Sequence, residues 1–270
     1  MALKDFMVHL DTGERTATRL GLAVGLARAH DARLVGVFGQ RAEPEQVGVV
    51  ATWPSPEYVA AAAASKAAFD AATAGLRDAE WRDINRGSDS EVLRLITEAA
   101  RYADMVVVGQ HDESVEAVVA PALAEELVIH SGRPILVVPY AGEFTEVGRR
   151  PLIAWDHSRE SAHALHASLR LIEGCNEAIV VSLDTPYEEA QKSCAEVARH
   201  LACHGIKART EVLLAEDEHV MDFVLNRVSD LDADLLVIGA HRHASFLRAS
   251  HSKDSRAILR QMVVPTLVAR

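Results

Sequence analysis

The sequence predicts an α/β protein built from two tandem doubly wound domains, each with a five-stranded parallel sheet. Three observations predict it. The segment Ala103-Asp104-Met105-Val106-Val107-Val108-Gly109 has a near copy in Ala233-Asp234-Leu235-Leu236-Val237-Ile238-Gly239. Each copy is followed by a Pro-led apolar run, Pro134-Ile135-Leu136-Val137-Val138 and Pro265-Thr266-Leu267-Val268-Ala269, and preceded by an apolar run that ends in aspartate, at Asp11 and at Asp156. Matched landmarks in the same order mark an internal repeat, the first thing to seek in a chain of this length. Between the landmarks, short apolar runs alternate with helical stretches, which implies right-handed crossovers and a parallel sheet.

In the first repeat, strands are expected near 5–10, 33–38, 80–86, 104–109 and 134–138. In the second they are expected near 150–155, 177–183, 207–214, 234–239 and 265–269. Uninterrupted apolar runs such as Met105 to Val108 suit strands buried on both faces. Residues 57–79 are Ala-rich and read as a helix. Ser88-Asp89-Ser90-Glu91 has the capping-box pattern ahead of the apolar positions Val92, Leu95 and Ile96. Another helix is expected at 186–204. The segment 140–149 is short, polar and carries two glycines. It sets the domains at 1–140 and 150–270 with 141–149 as the linker. The stretch from Gln40 to Pro56, with Pro44, Gly48 and Pro54, is long for a βα connection and reads as a surface excursion.

The 270 residues suit two domains of ordinary size. Only 5% of them are aromatic, so the cores must be built mainly from Ala, Val, Leu and Ile. The net charge of −11 disfavours binding to nucleic acid or to anionic membranes. Cys175, Cys194 and Cys203 are odd in number and make no disulfide framework, so a reducing cytoplasm is the expected compartment. The opening MALKDFMVHLD has no signal-peptide pattern, and the longest apolar runs are too short to span a bilayer.

In an open parallel sheet, ligands bind beyond the carboxyl ends of the strands. Asp11 and Asp156 end the first strands of their repeats, and Gly109 and Gly239 end the fourth. A strand-end glycine lets the chain turn sharply and can present N–H groups to an anion.

Asp156-His157-Ser158-Arg159-Glu160-Ser161-Ala162 and Asp11-Thr12-Gly13-Glu14-Arg15-Thr16-Ala17 resemble the first loop of universal stress proteins. The two Ala-Asp-led strands and the closing Gly132-Arg133-Pro134-Ile135-Leu136-Val137-Val138-Pro139 resemble that family too. The likeness covers essentially the whole chain as a tandem pair and implies a Rossmann-like fold, akin to that of the adenine nucleotide alpha hydrolases. In nucleotide-binding members, the fourth strand runs into a loop G-x2-G-x9-G-[ST] whose amides and hydroxyl hold phosphates, with the aspartate after the first strand beside the adenosine. Mapped onto this chain, Gly239 keeps the first position, Arg242 stands at the second, and Ser252-Lys253 stand for the closing pair. In the first repeat Gly109 is kept, Asp112 stands at the second position, and the closing pair falls near Pro121-Ala122.

The first loop should hold no phosphate, because Pro121 has no N–H and Asp112 and Glu113 repel anions. The second loop loses the glycine cradle but gains cations and hydroxyls. The candidate nucleotide or anion residues are therefore Asp156, Gly239, His241, Arg242, Ser252, Lys253 and Ser255, and Asp11 and Gly109 mark a degenerate first pocket. Side chains of Arg and Lys can bind phosphate directly. The opposing reading is a blocked, solvated loop, so ATP or another adenine nucleotide is expected to bind weakly or not at all. His241, His243 and His251 raise a metal-responsive alternative, but no metal is predicted, because no cysteine nearby completes a set. His9 reads as a satisfied core histidine, and His163 and His166 as an exposed helix face. His30, His130, His157, His200 and His204 are scattered along the chain, and Cys194 and Cys203 read as small buried residues.

No Gly-x-Ser-x-Gly elbow, Walker lysine loop, Cys-x-x-Cys or His-Glu-x-x-His is present. The expected function is a cytoplasmic stress-response protein, not an enzyme, that binds a small ligand or a protein partner. The alternatives are a nucleotide switch or slow ATP hydrolase using the second domain. By the same resemblance, the runs 134–138 and 265–269 are the edge strands that pair, as an internal pseudo-dimer, with a further homodimer open.

Overall fold

In a computed structural model of the protein, the described residues are 2–41, 45–47, 50–52, 54–84, 88–182, 186–213, 220–240 and 257–270. The chain divides into two compact units, Ala2–Arg133 and Pro134–Arg270. The first contains β1 (Asp5–Leu10), α1 (Thr16–Ala29), β2 (Arg33–Phe38), β3 (Glu45–Val47), β4 (Val50–Thr52), α2 (Pro56–Thr73), β5 (Ala79–Asp83), α3 (Asp89–Ala100), β6 (Met105–Gly109) and α4 (Leu123–His130). The second contains β7 (Ile135–Val138), β8 (Pro151–Trp155), α5 (Arg159–Ser168), β9 (Ala178–Ser182), α6 (Tyr187–Cys203), β10 (Ala208–Val212), α7 (Val220–Asp230), β11 (Leu235–Gly239), α8 (Ala257–Gln261) and β12 (Thr266–Ala269).

Within the first unit the strands run β6-β1-β2-β5, all parallel, with Phe6 beside both Leu34 and Met105. Within the second, β10-β9-β8-β11-β12 are parallel, and β7 pairs antiparallel with β12, Leu136 opposite Leu267. The expected five parallel strands are thus found in the second unit. β7, the fifth run expected of the first repeat, falls in the compact unit Pro134–Arg270. The runs 134–138 and 265–269 do pair with each other. A further difference is the antiparallel ladder of β3 and β4, Glu45 opposite Thr52, inside what reads from the sequence as a plain loop.

The central strands are apolar runs because helices cover both their faces. Met105 to Val108 and Leu235 to Val237 are fully buried. The outer strands β5 and β10 are half-exposed and carry charge. On β5, Arg82 forks onto Glu80, which also pairs with Arg33. On β10, Glu211 takes two bonds from Arg227 at 2.7 and 2.8 Å. Charged side chains on an edge strand discourage pairing with another chain.

α2 starts as its sequence dictates, with the Ser55 hydroxyl accepting from the Tyr58 amide and Pro56 at the first helical position. The capping box expected at Ser88 is not made. α3 starts after Ser88, whose hydroxyl bonds Ser90 Oγ at 3.0 Å instead of capping an amide. Cys203 is exposed where a buried site was expected, while Cys194 is buried.

The Ala-Asp pair that opens β6 and β11 performs the same task twice. The Asp104 carboxylate accepts the amides of Lys4 and Asp5 at 2.7 and 3.1 Å, and the Asp104 amide donates to the Asp5 carbonyl. The Asp234 carboxylate accepts the amides of Gly148, Arg149 and Arg150 at 3.2, 2.8 and 2.9 Å, and its amide donates to the Arg150 carbonyl. Each aspartate ties the start of the fourth strand of its repeat to the start of the first. Asp234→Ala strips three amides of their acceptor at once and is expected to lower stability by about 1–3 kcal/mol. Asp70→Ala breaks only an exposed pair with Lys66 and should stay within about 0.5 kcal/mol of the parent. Urea unfolding of the two variants checks the contrast.

Candidate functional site

At the carboxyl end of β1, Asp11 is buried and every contact around it serves to hold a negative charge. Its Oδ1 accepts the Gly13 amide at 2.9 Å and the Thr16 hydroxyl. Its Oδ2 accepts Arg19 Nη2 at 3.0 Å. Arg19 is itself buried, and its Nε donates to the His9 carbonyl at 2.7 Å and its Nη2 also to Thr16 Oγ1. The guanidinium reaches across to β6, where a side chain at Gly109 would overlap Arg19 Nη1. The strand-end glycine therefore makes room for an arginine of the same unit.

His9 completes the cluster. It is buried, as its place among apolar strand neighbours predicts. Its Nε2–H donates to the Gly39 carbonyl at 2.8 Å, and its Nδ1 lies 3.6 Å from Asp11 Oδ2. Burial pushes the His9 imidazole below its ordinary value, and the Arg19 charge adds to this while Asp11 opposes it. For Asp11, burial works to raise the pKa, but the Arg19 charge, with the neighbouring His9 imidazole and the Thr16 and Gly13 bonds, outweighs it. The net result holds the carboxyl far below the usual carboxylate range.

The loops around this end are tied to one another. The Thr12 amide donates to Gln40 Oε1 at 2.9 Å, and the Arg41 amide donates to the Val118 carbonyl at 2.7 Å. The Arg41 guanidinium forks onto Asp89 at the start of α3. Asp112 folds back onto the Ser114 amide and hydroxyl, at 2.8 and 2.6 Å, which makes its loop a side-chain-closed turn.

The second unit repeats the turn but not the arginine. Asp156 Oδ1 accepts the Ser158 amide at 3.0 Å and the Ser158 hydroxyl at 2.5 Å, and Ser158 Oγ in turn accepts the Ser161 amide to cap α5. The residue eight positions after the aspartate is Arg19 in the first unit and Ala164 in the second. α5 also begins two positions earlier in the repeat than α1 does. With no arginine between them, helix and strand touch: a side chain at Gly239 would lie 2.5 Å from the Glu160 carbonyl carbon and closer still to the Ser161 nitrogen. Glu160 is buried and accepts from Arg159 at 2.8 Å. Trp155 donates from its indole to Ser193 Oγ at 2.8 Å, and its ring lies 6.3 Å from that of His157.

Of the sequence candidates, Asp11 and Gly109 come together through Arg19, and Asp156 and Gly239 flank the start of α5. His241, Arg242, Ser252, Lys253 and Ser255, with the metal alternative at His241, His243 and His251, lie outside the described residues. Sequence reasoning missed Arg19, Thr16, Ser158 and Ser161. Arg19 had a signal: it shares the buried stripe of α1 with Ala23 and Leu26, an arginine where an apolar residue belongs. At each of the two glycines an added Cβ would collide, with the Arg19 guanidinium at Gly109 and with the start of α5 at Gly239. Among the described residues, no group of three or more His, Cys, Asp or Glu is placed to hold a metal ion, and no helix is long and apolar enough to cross a membrane.

A universal stress protein from Archaeoglobus fulgidus DSM 4304 superposes with a TM-score of 0.69 at 14% identity, over 98% of this chain and 96% of that one. The chain has the universal stress protein fold. A protein of unknown function from Pseudomonas aeruginosa PAO1 shares the fold at a TM-score of 0.59 and 12% identity, over 99% of this chain and 92% of that one. No protein-family model matches the chain, and no curated protein matches it. The two carboxyl ends thus differ in content, a buried ion pair in the first unit and a helix start set against the sheet in the second.

The two glycines should respond differently to the same substitution. At Gly239 the added methyl meets rigid backbone, and Gly239→Ala is expected to cost about 1–3 kcal/mol, with no second-site relief at position 164. At Gly109 it meets the end of a side chain. Gly109→Ala and Arg19→Ala should each destabilise, the latter by about 3–5 kcal/mol because Asp11 is left buried and unpaired. Their combination should cost clearly less than the sum. Additive costs in a double-mutant cycle would sink the proposed contact.

The cluster also sets a pH dependence. Depressed in the folded state, the Asp11 pKa contributes stability that is fully present above the unfolded value near 4 and is lost as pH falls through the folded value. His9, also depressed, is held neutral, so stability falls once pH drops below the unfolded imidazole value of about 6.5. Thermal midpoints should therefore begin to decline as pH falls below about 6.5 and decline more steeply below about 4. His9→Gln, which keeps a donor for Gly39 but does not titrate, should flatten the upper step alone.

Proposed function

We propose that this chain is a stress-response protein that binds a small ligand without strong catalytic activity, and that its repeats have divided the work. In this reading the repeats are 1–140 and 150–270, joined by 141–149. The pairing of β7 with β12 stands in for a dimer contact, and the protein acts in the cytoplasm. The first repeat binds no nucleotide and serves as scaffold. The observation that supports this most directly is the Arg19 guanidinium, buried against Gly109 and bonded to Asp11, so that the carboxyl-end position is filled from within.

Any nucleotide or anion site belongs to the second repeat, at Asp156 and Gly239 with His241, Arg242, Ser252, Lys253 and Ser255. Affinity for ATP there is weak or absent, because Gly239 is packed against backbone and the loop lacks the second and third glycines of the phosphate-binding pattern. Cationic side chains can replace a backbone cradle for an anion, but as mobile point charges they fix it less well.

Calorimetric and thermal-shift titration with ATP, ADP and AMP, with and without magnesium, tests the reading. The expected result is at most one nucleotide per chain, with any rise in midpoint abolished by Lys253→Ala and kept in Asp112→Asn. For scale, ligand at a hundred times its Kd stabilises by about 2.7 kcal/mol. Two nucleotides per chain would overturn the division between repeats. ATP turnover that falls in both Lys253→Ala and Asp156→Ala would replace the binding role with a hydrolase.

A further inference from the structure

The last turn of α6 and the residue that caps it carry two histidines, His200 and His204, on one side of the helix. Residues four apart on a helix are surface neighbours. Here the rings approach to 4.8 Å between centroids, edge to face, and both side chains are exposed. The helix end beneath them is fixed. The His204 amide donates to the Leu201 carbonyl, Gly205 turns the chain with φ +73°, and the Ile206 amide returns to the Leu201 carbonyl with Ile206 buried. This closure anchors the backbone under His204, so the two imidazoles are held as neighbours at a fixed helix end without ordering a loop.

Three physical terms favour a cation at this place. The end of a helix bears partial negative charge from its unsatisfied carbonyls. The whole chain is acidic, with net charge −11. Unprotonated imidazole is the commonest protein ligand for metals and suits nickel, copper and zinc far better than magnesium or calcium. Glu196 lies one turn earlier on the same side, but its carboxylate is taken up by Arg199. The donor set is therefore the two rings, with water completing the coordination.

We propose that His200 and His204 form a two-imidazole chelate for a late first-row divalent cation on the surface of the second unit. The site is independent of the carboxyl-end crevices and of the histidines at 241, 243 and 251.

The test uses the full chain without a polyhistidine tag, freed of metal by a chelator, and titrated with nickel chloride. Calorimetry reads affinity, and NMR of the imidazole nitrogens reads which rings a paramagnetic ion broadens. Expected are selective broadening at His200 and His204, a loss of affinity of about tenfold or more in both His200→Ala and His204→Ala, and no binding of magnesium. Both variants lie on the exposed face and should keep the parent's unfolding midpoint without metal. Cys203→Ser, which alters the neighbouring exposed thiol, should bind as the parent does, as should the His241→Ala/His243→Ala double variant. Three results would overturn the assignment: no binding at submillimolar nickel, undiminished affinity in His200→Ala, or loss confined to Cys203→Ser or to the 241/243 variant.

Discussion

Burial of the Arg19 guanidinium at the carboxyl end of the first unit constrains everything around it. A guanidinium cannot be taken from water unless its donors are matched, and here an aspartate, a hydroxyl and a backbone carbonyl match them. That requirement fixes Asp11 as a carboxylate, sets Thr16 at the start of α1, and leaves position 109 no room for a side chain. In the second unit Ala164 takes the corresponding place, and α5 rests on β11 with backbone against a glycine. A single difference in side-chain volume thus gives two copies of one architecture different interiors at the end of the sheet where ligands are usually held.

What the two units share is the geometry that needs no ligand. Asp104 and Asp234 clamp the amino ends of their sheets, remote from either crevice. Asp11 and Asp156 each accept the amide two residues on, which turns the chain from strand into helix at the same place in both repeats. A function resting on either must come from what else surrounds it, and that is where the repeats part.

The fold was legible in the sequence because its strongest signals are those of a parallel sheet: apolar runs buried on both faces, spaced by helices and repeated in order. β6, β8 and β11 fall where those runs predict. The hairpin of β3 and β4 was not legible, since three-residue strands carry no periodicity that rises above a loop. At the candidate site the sequence identified the strand ends but not their contents. A strand-end glycine can mean a cradle for an anion, a slot for a side chain or a seat for a helix, and only the atoms within reach of its missing Cβ distinguish them.

The same reasoning bears on why an ion pair sits in the first unit at all. Replacing a buried pair by apolar residues of equal volume is often neutral or stabilising, so stability alone does not account for Arg19 and Asp11. Their geometry is directional where an apolar plug would not be. The guanidinium is bonded at Nε and Nη2 to atoms of β1 and α1, so that strand and helix are held in one register by a group that accepts no substitute of different shape. His9, kept neutral by burial and bonded to Gly39, carries the same constraint to the end of β2. The cluster joins α1 to the ends of β1 and β2 and fills the space beside β6.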